Sequence, residues 1–407
     1  MTEDARNVRE QGQGRTRHDS SIGSRALMAC PNYWGSPLMV GSHHIANGLV
    51  DAGWRVAYVS DPISPLHWLA GSTPELRERF TIYRAGGVSL RDARLWAYVP
   101  GAPLTPHNQP GLRNEWLHRE WWRLSWPNVV RTASLHGFDE VDLLYLDSIV
   151  QEFWLKAIRP RRSVYRVADR STGFRKSTPA RARLERELAR SVDVVAYTAR
   201  HLLPHVNSLR PKQSLYLPNG VDFDHFARGD RSLPPDLVDV PRPIAIYVGS
   251  LDVWFDYALM NFAARHLPDV SFVLIGPDNI ARKRLERLSN IFLLGSRSYE
   301  SLPRYLHNAD VGLIPFDVSA HPELIHSVNP LKLYEYMACG LPVVAVEWAE
   351  LLDLASPALL CRGHGAFVEA IQAAIGQATS PEINQRFAAS ADWKSRVTSL
   401  LRAVVGP

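Results

Sequence analysis

Apolar strand-like runs alternate with helix-like segments twice along the chain, and this alternation restricts the fold more than any other feature. From Arg25, "RALMAC" reads as a strand and "PNYWGSPLMVGS" as a loop with Gly35 and Gly41. "HHIANGLVDAG" reads as a helix stopped at Gly53, and "WRVAYVS" as the next strand. This is a βαβ unit, which implies a parallel sheet. Further strands are expected at 141–147, at 163–169 and in "VDVVAYT" and "SLYLPNG", with an amphipathic helix over "PARARLERELARS". Residues 219–243 are rich in Asp, Pro and Gly and read as a linker. The pattern then restarts: "PIAIYVG", "VSFVLIG", "IFLLG" and "DVGLIPF" are strands, with helices over "FDYALMNFAARH" and "YESLPRYLHNA".

A chain of 407 residues is too long for one ordinary core. The expected organisation is a flexible tail (1–25), a first α/β domain (26–220), a linker (221–243), a second α/β domain (244–385) and a C-terminal helix (386–407). Hydrophobic residues make up 46% and charged residues 21%, which excludes a disordered chain. No run approaches the ~20 apolar residues needed to span a bilayer, and the polar N-terminus lacks the apolar centre of a signal peptide. Cys30, Cys339 and Cys361 are too few and too scattered for a disulfide or metal framework. A reducing, cytoplasmic setting is expected. The net charge of +5 admits anionic partners without selecting one. No motif for nucleic-acid binding is present.

The chemistry concentrates in "NPLKLYEYMACGLPVVAV", residues 329–346. Asn329 is expected to cap a helix with Pro330 in its first turn, and Gly340 and Pro342 to end it. Lys332 then sits where the helix dipole is positive, which costs about 0.3–1 kcal/mol. Glu335 lies on the same helix face. A local ion pair, worth about 0.2–0.5 kcal/mol, is one reading. The other is an anion at the helix N-terminus, a diphosphate held by free amides and the lysine, with Glu335 accepting from sugar hydroxyls. Gly249 and Ser250 follow a strand and precede a helix, where backbone amides can meet phosphate. The twelve-residue loop before the segment, "DVSAHPELIHSV", is long enough to line a site.

"NPLKLYEYMACGLPVVA", with "YVGSLDVWFDYAL", "VSFVLIGP", "GLIPF" and "LPNGVDFDHF", resembles the group 1 glycosyltransferases of GT-B fold. The nearer likeness is to bacterial exopolysaccharide enzymes such as the xanthan glucuronosyltransferase and teichuronic acid transferases. The resemblance implies two Rossmann-like domains facing a cleft, with acceptor bound by the first and donor by the second. It also implies that the C-terminal helix "DWKSRV" returns to the first domain. It implies a nucleoside diphosphate sugar, with UDP the expected carrier, as donor, no cofactor, and a carbohydrate or lipid-linked acceptor. It matches Lys332 to the donor pyrophosphate, Glu335 to the ribose side, Gly249 and Ser250 to the phosphate loop, and Arg297 and Tyr299 to a base-contacting loop. Many retaining members carry a second glutamate eight positions before the equivalent of Glu335. Here that position is Ser327, so an inverting mechanism is favoured.

In the first domain Asp169 follows a predicted strand at the end where open sheets bind ligands. A turn or cap aspartate is the plain reading. The resemblance matches it to a general base. Tyr33, Trp34 and His43 lie on or beside the first glycine loop and are acceptor-side candidates. In "GLRNEWLHREWWRLSW", Leu112, Trp116, Leu117, Trp121 and Leu124 form a helical stripe, read as core packing with membrane docking as the alternative. Two other functions fit the same donor site: a nucleotide-sugar epimerase, and a non-catalytic nucleotide-sugar-binding protein.

Overall fold

The computed structural model describes residues 23–69, 71–107, 109, 111–169, 178–376 and 380–406. Most of the expected N-terminal tail, residues 1–22, lies outside the described residues. The first sheet comprises β1 (Arg25–Cys30), β2 (Arg55–Ser60), β3 (Val88–Leu90), β4 (Leu95–Tyr98), β5 (Glu140–Leu146), β6 (Arg159–Val167), β7 (Val194–Tyr197) and β8 (Ser214–Tyr216). Its order is β3-β4-β2-β1-β5-β6-β7-β8, and only the β3–β4 pair is antiparallel. The second sheet comprises β9 (Ile244–Val248), β10 (Ser271–Ile275), β11 (Ile291–Gly295), β12 (Val311–Ile314), β13 (Val343–Val346) and β14 (Leu359–Cys361). It is wholly parallel, ordered β11-β10-β9-β12-β13-β14.

Helices cover both faces of the first sheet, so its central strands are apolar throughout. Leu27 and Ala29 of β1 enter one core while Ala26, Met28 and Cys30 enter the other. The C-terminal helix Trp393–Val404 completes the second of these cores. Its Val397 packs so closely on Gly48 of the helix Gly41–Asp51 that a Cβ there would clash. The chain therefore leaves the first domain and returns to it. The two crossings lie side by side, joined by a bridge between Val221 and Asp392.

The Asp- and Pro-rich stretch after the first crossing is packed, not loose. It carries a short helix, Phe223–Ala227, and buries Phe226 and Leu237 in the second core. Both sheets reverse strand order beside their central strand, at β1/β5 and at β9/β12. Ligand crevices of open α/β sheets open at such points, beyond the strand carboxyl ends.

Candidate active site

The segment with the misplaced lysine forms the helix Leu331–Ala338 between β12 and β13. Pro330, not Asn329, is its N-cap. Pro330 is extended (φ −83°, ψ 120°), and no side chain caps the helix. Asn329 therefore falls one residue short of the capping position. Tyr336 seats the helix against the sheet, its hydroxyl accepting the Val248 N–H at 2.7 Å. The approach requires Gly312, because a Cβ there would enter the Tyr336 ring.

The helix N-terminus opens on a cleft of about 190 Å³. Gly249, Ser250, Arg297, Tyr299, Lys332 and Glu335 all line it. The opposite wall is the loop Pro37–Val40 of the first domain. The strand-end loops on the donor side interlock. Gly249 N–H donates to the Ile275 carbonyl (2.9 Å) and Gly276 N–H to the Gly295 carbonyl (3.0 Å). A Cβ on Gly276 would collide with the Gly249 carbonyl. Gly276 (φ +149°) also holds a backbone conformation that side chains disfavour.

Lys332 and Glu335 do not ion-pair, since no Lys332–Glu335 contact occurs among the salt bridges of the described residues. The lysine Nζ instead sits over two rings, 4.9 Å from the Phe316 centroid and 5.3 Å from that of Tyr247. Burial draws Lys332 down to about 8, partly opposed by Glu335. Burial pushes Glu335 up to about 7. Lys332 is thus a buried cation held over two rings, with no carboxylate in ion-pair range among the described residues.

Arg297 is committed to anchoring its loop. It pairs with Asp236 (2.5 Å) and donates to the Tyr305 hydroxyl (2.9 Å). Tyr299 stacks on His225 at 4.8 Å and meets His44 edge-on at 5.5 Å. Both side chains form the cleft wall, and the Ser298 carbonyl between them accepts from Ser301 Oγ (2.8 Å).

Asp169 stands apart from the donor cleft. It borders a second cavity of about 200 Å³ with Trp254, Phe316, Leu324, Ile325 and Val328. Three of these come from the long loop Asp317–Val328. Burial raises the Asp169 carboxyl, Arg166 lowers it and Asp147 raises it again. Phe316 thus borders both Lys332, whose Nζ lies 4.9 Å from its ring centroid, and the Asp169 cavity.

The acceptor-side candidates divide. Tyr33 is 2% exposed in a satellite core, and its hydroxyl donates to Glu78 (2.9 Å). His43 is buried with both ring nitrogens engaged, at 3.2 Å from the Val40 N–H and 3.0 Å from the Tyr33 carbonyl. Their placement on a glycine loop suggested access to a ligand, whereas the loop folds back on its own domain. Trp34 and the edge of His43 border an outer, polar extension of the cleft.

Sequence reasoning missed Arg166, Asp147 and Asn219. Arg166 forms a buried ion pair with Asp147 (3.2 Å) and donates to the Asn219 side chain (2.8 Å). Asn219 donates in turn to the Asn329 carbonyl (2.7 Å). Two parts of this were visible in the chain: an arginine in the buried second half of β6, "SVYRV", and an Asn-Gly pair at the domain crossing.

Residues 28–198 match the family described as glucuronosyltransferase GumK, N-terminal domain, and residues 242–377 match glycosyl transferases group 1. The chain belongs to the group 1 glycosyltransferases of GT-B fold. This glycosyltransferase is 24% identical over 196 residues to a putative teichuronic acid biosynthesis glycosyltransferase, TuaH, of Bacillus subtilis (strain 168). That match takes in 45% of the chain and 49% of TuaH, about half the length of the relative. Among solved structures, the glycosyltransferase is similar to sucrose-phosphate synthase from Thermosynechococcus elongatus (TM-score 0.65, 16% identity, 93% of this chain and 98% of that one). It is likewise similar to Anabaena HepE in complex with UDP (TM-score 0.60, 16% identity, 93% and 99%). At these identities the structural likeness is one of fold.

Proposed function

We propose that the protein transfers a sugar from a nucleoside diphosphate donor, UDP in the first instance, to a carbohydrate or lipid-linked acceptor in bacterial polysaccharide or glycoconjugate synthesis. The observation that supports this reading is that Phe316 borders both Lys332, 4.9 Å from its ring centroid, and the cavity that Asp169 lines. A helix end suited to an anion and a candidate base then border one ring.

The proposed step is an inverting displacement. The acceptor hydroxyl gives its proton to Asp169, and its oxygen bonds to the anomeric carbon. The bond from that carbon to the diphosphate oxygen breaks, and the diphosphate leaves. Lys332 and the helix amides stabilise the charge gathering on it. Glu335, one turn along the helix, is assigned to donor hydroxyls. The scheme calls on no metal and no cofactor. HepE, a protein of the same fold, has been crystallised with UDP-glucose.

A lipid-linked acceptor is supported by an apolar groove of about 390 Å³ in the first domain. It runs beyond the ends of β2 and β4, between Trp68, Phe80, Tyr83 and Trp126. Leu69 and Trp126 are largely exposed beside it. The Trp-rich segment splits accordingly: Leu117 and Trp121 are buried, whereas Trp116 is exposed. Peripheral association with the inner face of an anionic membrane is part of this proposal. Among the described residues no helix is long and apolar enough to cross a membrane.

The test is a thermal-shift panel of sugar nucleotides, followed by mass spectrometry of products formed with free and lipid-linked oligosaccharides. Asp169→Asn is expected to lower turnover at least a hundredfold while leaving UDP affinity within about threefold. Unchanged turnover removes Asp169 as the base. Release of an altered sugar nucleotide without acceptor returns the epimerase reading, and binding without turnover the non-catalytic one.

A further inference from the structure

The cavity beside Asp169 combines a single carboxylate with a carbon wall. It measures about 200 Å³, and Trp254, Phe316, Leu324, Ile325 and Val328 of the second domain line it opposite Asp169 of the first. That is smaller than the pockets of drug-sized ligands and suits one sugar ring. The wall is held in place from both ends. Phe255 and Phe316 pair in an antiparallel bridge, Asp317 N–H donates to the Trp254 carbonyl (2.8 Å), and Asp256 N–H donates to the Pro315 carbonyl (2.8 Å). At the other end the Trp348 indole donates to the Val328 carbonyl (2.9 Å). Trp254 and Trp348 are the two tryptophans of the second domain, and they differ. Trp348 is buried with its N–H engaged. Trp254 is half-buried, and among the described residues its indole N–H has no hydrogen-bond partner and is not sealed from the cavity side by burial.

This lining restricts the sugar it can hold. A hydroxyl pressed against Leu324, Ile325 or Val328 gives up its water and gains no partner, whereas a methyl group there is favoured. An indole N–H can only donate, so the group it meets must accept. An acetamido substituent carries both requirements at once, a carbonyl oxygen and a methyl group. A uronate carboxylate fits poorly, because no cation lines the cavity among the described residues and Asp169 is a like charge. We infer that this cavity is the subsite for the donor's sugar, that the sugar carries an acetamido group, and that Trp254 is the specificity-determining residue that selects it. The sugar's apolar face lies on the indole, and the acetamido carbonyl accepts from its N–H. The inference rests on the donor reading above, which places the diphosphate at Lys332. Phe316, bordering both Lys332 and the cavity, puts the sugar of such a donor within reach of Trp254.

The experiment is calorimetric titration of the full chain with UDP, UDP-glucose, UDP-glucuronate, UDP-N-acetylglucosamine and UDP-N-acetylgalactosamine. The better of the two acetamido donors is expected to bind at least about tenfold tighter than UDP-glucose or UDP-glucuronate. Trp254→Ala is expected to bring all four sugar nucleotides within about threefold of one another, with affinity for UDP itself changed by less than about threefold. Val328→Thr sets a hydroxyl on the same wall, is expected to narrow the preference at least about threefold in favour of UDP-glucose, and substitutes for Trp254→Ala if that variant fails to fold. Equal affinities in the wild type, a preference for UDP-glucose or UDP-glucuronate, or an acetamido preference that survives these substitutions overturns the inference and leaves the donor reading in place. Absence of UDP binding in the wild type overturns the donor reading, and the subsite with it.

Discussion

Replacing Lys332 by Met separates binding from folding, because the two are expected to move in opposite directions. In the ligand-free protein the lysine is drawn from 10.5 to about 8, a displacement that corresponds to about 3 kcal/mol against the charged form. Its seat over Tyr247 and Phe316 is part of the same balance and returns about 0.5–2 kcal/mol. Methionine fills similar space without the charge, so the unliganded variant is expected to be more stable by about 1–2 kcal/mol at pH 7. Binding moves the other way. A charge-assisted contact to phosphate is worth about 1.5–3 kcal/mol, so UDP affinity is expected to fall about 10–100-fold. The pH dependence follows from the sign. Phosphate favours the protonated lysine, so wild-type affinity holds steady below about 7.5 and weakens by up to about tenfold from pH 8 to 9. The variant loses that slope. Calorimetric titration with UDP over pH 6.5–9 and denaturant unfolding of the free protein provide both readings. Wild-type affinity in the Met variant, or a loss of stability in place of a gain, would refute the caged-cation account.

The neighbouring residues give two further expectations. Glu335 is raised to about 7, so between pH 4.5 and 7 the folded protein holds a proton that the unfolded chain has released. Its contribution to stability is complete below pH 4.5 and is lost as pH rises through 7, by up to about 3 kcal/mol. Glu335→Gln should flatten that limb of a stability–pH curve, and an unaltered curve would show that the carboxyl is not desolvated. Gly276→Ala drives a Cβ into the Gly249 carbonyl and strains a positive φ. UDP binding should disappear together with about 2–4 kcal/mol of stability. Binding that survives the substitution would mean the two loops are not interlocked in solution.

The convergence of Gly249, Lys332 and Glu335 on one cleft was legible because its signals are local. A lysine in a first turn, a glutamate one turn on, and a glycine after a strand each break a short-range rule within a few residues. The Arg166–Asn219–Asn329 chain depends on contacts between distant segments. Arg166 meets Asn219 across 53 positions, and Asn219 meets Asn329 across 110. No periodicity records such pairs. The burial of Tyr33 and His43 was not legible for a related reason, since exposure of a loop side chain is set by what folds over it. Of the Trp stripe, Leu112, Leu117, Trp121 and Leu124 pack on the first-domain core as read, and Trp116 is exposed. The helix Glu115–Glu120 tightens into a 3-10 turn at Trp121–Leu124, so the α-helical spacing holds for only half of the segment.

The bridge between Val221 and Asp392 has a mechanical consequence. Both chain crossings pass through one point, so the halves of the molecule share a single pivot. Rotation about that point is the motion the adjacent crossings favour, and the covalent path keeps the halves joined there. On the proposed function, a nucleotide sugar is expected to enter at the rim farthest from the pivot, toward the helix end. Displacement per degree is smallest next to the pivot, where Asn219 and Arg166 sit, and largest at the rim. The same swing that admits a bulky donor therefore changes the surroundings of Arg166 by only a fraction of an opening measured at the rim.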